Sequence, residues 1–166
     1  MARPNPNLGD ELLLKSLDQA FNRKSWHGPN LRGSLRGVTA RQAAWRPAAG
    51  RHSIAEQVLH AAYWKYVVRR KLTGEKRGSF ALSGSNWFAV GDDLGQAEWR
   101  RWVAILQEEH ARLRSAVVAW IAAARRRTGG GGVNARSLDL ILGVAAHDLY
   151  HAGQIALLKR MQTRKE

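Results

Sequence analysis

The sequence predicts an all-α fold, a four-helix bundle, and three observations carry that expectation. Four long segments repeat apolar residues at helical spacing, no segment alternates convincingly as a strand does, and the joining stretches are rich in helix breakers. The 166 residues suit one domain, 1–166, large enough to bury a core without disulfides or a structural metal. A metal ion here would therefore act rather than merely hold.

The first helix is expected from about Leu8 to Phe21, where Leu8, Leu12, Leu13, Leu17, Ala20 and Phe21 form one stripe. The segment from Trp26 to Gly37 is rich in breakers, and Val38 to Trp45 forms a short helical turn that Pro47 and Gly50 close. That connection is long for a bundle, and a long connection suits a roof over whatever the helices enclose. Ser53 starts the second helix as an N-cap, with Glu56 completing a capping box, and the pattern runs from Ile54 to Leu72 until Thr73 and Gly74 end it.

Residues Glu75 to Gly95 show no sustained period and read as a crossover, long enough to let the second and third helices run parallel. The third helix spans about Gln96 to Arg126. Its inner face is Trp99, Trp102 or Val103, Leu106, His110, Leu113, Val117, Trp120 and Ala124. Thr128 and the run Gly129 to Gly132 terminate it; that run lacks the Lys-Ser/Thr of a phosphate loop and reads as a hinge. The fourth helix starts at Asn134 or Ser137 and reaches about Gln162.

Composition excludes several chemistries. With no cysteine there are no disulfides, thiolate nucleophiles or Cys-based zinc sites, which leaves His, Asp and Glu as metal ligands. No Gly-x-Ser-x-Gly elbow is present. The N-terminus lacks the apolar core of a signal peptide and no apolar run could cross a bilayer, so the expectation is a soluble cytoplasmic protein with no membrane partner. The formal charge of +14 would suit nucleic acid or another anion. Its densest clusters, Arg69-Arg70-Lys71, Arg125-Arg126-Arg127 and Lys159-Arg160 with Arg164-Lys165, fall at helix C-termini, however, where solvated cations complement the dipole. Nucleic acid is therefore not the favoured partner.

The chemistry lies in the fourth helix. His147 and His151 are one turn apart, and the stripe Leu140, Val144, His147, His151, Gln154, Leu158 is otherwise built for burial. Such a pair can give one metal ion a nitrogen from each ring. His60, mid-way along the second helix, would ordinarily be a hydrogen-bonded core histidine; beside the pair it becomes the natural third nitrogen. His110, without a ligand-type neighbour one turn away, reads as structural, and His27 and His52 lie in loop or cap positions.

These residues resemble a known family. Trp45-Arg46-Pro47, the run His52 to His60, Trp87-Phe88 and above all His147-Asp148-Leu149-Tyr150-His151-Ala152-Gly153-Gln154-Ile155 are together similar to the DinB/YfiT-like metal-binding four-helix bundles. The resemblance implies an up-down-down-up bundle, often a homodimer. It also implies one divalent ion on His60, His147 and His151. Three neutral imidazoles suit zinc first, with nickel or iron as alternatives, and leave an open coordination position.

Gln154, Glu56, Tyr63, Asp148 and Tyr150 are the groups placed to hold the far nitrogens of those rings. Gln154 is the strongest, sharing the stripe; Glu56 is claimed by its cap, Tyr63 suits the core, and Asp148 and Tyr150 flank the face. Gly143 and Gly153 suit close helix packing or access to the site. Two functions follow. The first is a metal-dependent enzyme acting on a small-molecule substrate. The resemblance implies a thiol-dependent S-transferase or a hydrolase, and a cysteine-free chain would need an external low-molecular-weight thiol. The alternative is a non-catalytic, stress-linked binding protein that meets nucleic acid or another anion through its basic surface.

Overall fold

The computed structural model describes residues 8–128 and 135–163. Among them every regular element is a helix, with no strand: α1 Leu8–Phe21, α2 Leu31–Ser34, α3 Ala40–Ala44, α4 Ile54–Thr73, α5 Gln96–Thr128 and α6 Ala135–Thr163. The expected hinge, Gly129 to Gly132, and the expected start at Asn134 lie outside the described residues. No described helix is long and apolar enough to cross a membrane.

Local chemistry fixes the boundaries of α4. Ser53 accepts from the Glu56 N–H while Glu56 accepts from the Ser53 N–H, so both halves of the capping box form. Gly74 closes the helix in the left-handed region at φ 76°, where a side chain would be strained. The same device opens α3, whose Thr39 and Gln42 cap one another. The sequence stripe did not reveal α2, a single turn capped by Asn30. At four residues it is too short to show a period.

Ion pairs set the directions of the long helices. Asp10 pairs with Arg125 and Asp18 with Arg114, so α1 and α5 run oppositely. Ile54 to Ala62 share a core cluster with Trp99 to Leu106, whereas Val68 clusters with Leu113 to Ile121, so α4 and α5 run parallel. On α6 the order reverses: Ile141 and Val144 join Val68, and Ala152 to Leu158 join the start of α4. Fully buried Leu17, Leu113 and Ile141 each contribute about 1.5–3 kcal/mol.

The buried face of α6 is Ile141, Val144, Ala145, Asp148, His151, Ala152, Ile155 and Leu158, so the expected stripe is buried at Val144, His151 and Leu158 and half-buried at Leu140, His147 and Gln154. Asp148 is therefore fully buried, where it pairs with the equally buried Lys65 of α4. Arg69 is no solvated helix end either: it is buried against Glu109 and also pairs with Glu75. The first connection packs over one end of the core rather than over the histidines. Trp99 donates to Val38 O at 2.9 Å, and Lys159 donates to Ser34 O and Arg36 O at 2.9 and 2.8 Å.

Candidate metal centre

α4 and α6 cross where Gln57, His60, His147 and His151 meet. His60 Nε2 lies 3.1 Å from His147 Nε2, and His151 Nε2 lies 3.0 Å from the same atom. All three ligand nitrogens fall within 4.8 Å of one another.

The far nitrogens determine what those Nε2 atoms can do. His60 Nδ1 donates to the Asn86 carbonyl at 2.9 Å, and His151 Nδ1 is 3.2 Å from Gln57 Oε1, also an acceptor. A neutral ring that gives its proton to Nδ1 leaves a bare lone pair on Nε2. Two such lone pairs thus face His147 at hydrogen-bonding distance. His147 Nδ1 is buried without a hydrogen-bond partner among the described residues. A tetrahedral zinc with bonds near 2.05 Å separates its nitrogen ligands by about 3.3 Å, so the donor set fits a divalent ion at a shared point.

Burial also keeps the rings neutral. Desolvation, reinforced by the neighbouring histidines, pushes His147 down to about 4 and His151 to about 3; burial, then His52, lowers His60. Proton loss, normally required before an imidazole can ligate a metal, is thus already favoured by the fold.

The second connection covers the site. Trp87 stacks on His60 at 3.8 Å and 11°, with His52 stacked on its other face at 3.5 Å and 1°. Asn86, at φ 62°, gives its carbonyl to His60 and its Oδ1 to the Trp64 indole at 3.0 Å. Beside His60 and His147 lies a cleft of about 490 Å³.

The other residues singled out in the sequence sit as follows. Gln154, half-buried near His151, opposes the lowering of that ring's pKa by burial. Tyr150 is exposed and presents its ring edge-on to His151 at 5.1 Å. Glu56 is occupied by its cap and by Arg46 at 2.7 Å. Tyr63 packs edge-on against Phe80 and Phe88, away from the histidines. Asp148 serves Lys65 instead.

Gln57, Asn86, Trp64 and Trp87 were missed as site residues. Gln57 sits one turn before His60, a spacing that could have drawn notice; nothing local marks Asn86. A Cβ at Gly143 or Gly153 would meet nothing within 4 Å, so close packing within the chain explains neither, and only Gly143 borders the cleft.

The family model described as the DinB superfamily matches residues 25–155, well over half of the chain. No curated protein and no solved structure matches significantly.

Proposed function

Because the chain belongs to the DinB superfamily, we propose that it is a metal-dependent enzyme acting on a small molecule, a thiol-dependent S-transferase or a hydrolase. His60, His147 and His151 are the ligands, and zinc is the preferred ion ahead of nickel or iron. The observation that carries this reading is the convergence of three Nε2 atoms whose rings are held neutral by burial, two of them with Nδ1 tied to an acceptor. Bound there, a divalent ion would supply Lewis acidity at an open coordination position.

The chain's own residues do the rest. Asn86 and Gln57 fix the orientation of two rings, Trp87 shields His60 from water, and the cleft admits the substrate from the side of His60 and His147. In this reading α1, α4, α5 and α6 form an up-down-down-up four-helix bundle within one domain. A homodimer is part of the same reading. Leu142, Ala146, Leu149, Gly153 and Leu157 make an exposed apolar stripe along α6 without a charged residue, in a chain of net charge +14.

Metal analysis of the zinc-reconstituted protein tests the ligand set. The parent should retain about one ion per chain, and His60→Ala, His147→Ala and His151→Ala should each lose most of it while keeping their helical circular dichroism. Equal, stoichiometric metal in all four proteins would refute the assignment.

One observation favours the second reading, a nucleic-acid or other anionic partner. A cavity of about 770 Å³ on another face is lined by Lys24, Arg32 and Arg36, none of which has an ion pair among the described residues. Trp26, between Lys24 and Gly28 of that lining, is fully exposed. Strongly salt-dependent retention on DNA, unchanged by His60→Ala, supports that reading instead.

A further inference from the structure

We propose that the cleft beside His60 and His147 receives an uncharged apolar group of the substrate, aromatic or branched aliphatic, whose polar head faces the histidines. This rests on the metal-dependent reading above.

The walls carry the argument. The cleft is lined by Trp64, Val67, Val68, Trp87, Leu140 and Val144. Its volume, about 490 Å³, lies in the range of small-molecule sites.

Charge narrows the class further. The chain has 27 Lys and Arg against 13 Asp and Glu, yet among the described residues no Lys or Arg lines this cleft, and its one carboxylate is that of Asp139. A phosphate or carboxylate on the group lodged there would lose water with no cation in return, and beside a like charge. The basic cavity of Lys24, Arg32 and Arg36 lies elsewhere. Hydrogen bonding is largely spent within the wall. The Trp64 indole N–H is given to Asn86 Oδ1, and the Asn86 carbonyl is taken by His60 Nδ1. What remains is apolar surface that includes the Trp64 ring and the edge of Trp87, which selects by shape and burial.

Gly143 gives direct access to this cleft by mutation. It lines the cleft from α6, and a Cβ there would meet nothing within 4 Å, so a longer side chain enters empty space.

The experiment is calorimetric titration of the full chain at pH 7.5, in chelator, with 2-naphthol and 6-hydroxy-2-naphthoate, which share the hydroxyl head and differ by a carboxylate at the far end of the body. The uncharged probe should bind the parent at least about tenfold more tightly. Gly143→Leu should weaken 2-naphthol by about tenfold or more, and Gly143→Lys should reverse the preference towards 6-hydroxy-2-naphthoate. Equal or tighter binding of 6-hydroxy-2-naphthoate to the parent, no binding of either probe, or indifference to both Gly143 variants overturns the proposal. Zinc stoichiometry, measured separately on the same proteins, reports on the metal reading alone. Loss of zinc retention with the naphthol preference intact sinks the enzyme and leaves the cleft's selectivity, whereas full zinc retention with the carboxylate probe preferred does the reverse.

Discussion

Replacing His110 with leucine should leave the protein as stable or more stable at pH 7.5 and flatten its response to acid. The ring is 3 % exposed, stacked on Phe21 at 3.7 Å, and neither nitrogen has a hydrogen-bond partner among the described residues. An unsatisfied buried polar group costs about 1–3 kcal/mol, whereas the lost ring stacking removes only about 1 kcal/mol, so a side chain of similar volume without polar atoms gains or breaks even. Burial, then the positive charges of Lys65 and Arg114, pushes His110 down to about 3 from the ordinary 6.5.

The folded ring therefore stays neutral where the unfolded ring takes up a proton. The stability linked to it is fully present above pH 6.5 and is lost as the pH falls towards 3. Between pH 7.5 and 5 that loss is about 2 kcal/mol. Urea unfolding of parent and His110→Leu in chelator, at pH 7.5, 6.5, 5.5 and 5, isolates it, because His147 and His151 titrate alike in both proteins and cancel in the difference. A parent-minus-variant difference that does not change with pH would refute the reasoning. So would a variant less stable by more than about 2 kcal/mol at pH 7.5.

Three further outcomes are expected. Lys65→Met leaves Asp148 buried and unpaired and should cost about 3–5 kcal/mol in denaturant unfolding, with Asp148→Asn added to it restoring more than half; a double variant as unstable as the sum of the singles would show that the two charges are not coupled. Asn86→Ala both strains the left-handed backbone and removes the Trp64 acceptor, so it should weaken zinc binding about fivefold or more, while Asn86→Gly, which keeps the backbone and the carbonyl on His60, stays closer to the parent; equal affinities in all three would rule out Asn86 as the support of His60. Leu149→Glu on the exposed stripe of α6 should convert a dimer to a monomer in sedimentation analysis, and a parent that already sediments as a monomer removes that part of the reading.

Much of the site could be seen in the sequence because it is written in local periods. His147 and His151 share a helical face by arithmetic alone, and Ser53 with Glu56 fixes where α4 begins and hence which way His60 points. The start, Leu8, and the end, Phe21, of α1 were likewise given by its stripe. What escaped the sequence is pairing over long range. Lys65 and Asp148 are 83 positions apart, and nothing near either one reveals that burial and a partner await it. On α6, the polar interruption at Asp148 hid part of the buried face, since a lone carboxylate reads as an outward residue until its cation is located. Asn86 was invisible for another reason: its part is played by a backbone carbonyl and a left-handed turn in a segment with no period.

The histidines that meet between α4 and α6 are drawn from positions 87 apart, with the whole of α5 between them in the sequence. A ribosome must therefore add α5 and more than half of α6 to α4 before the trio exists at all. A chain that stops between residues 60 and 147 holds a single one of those imidazoles.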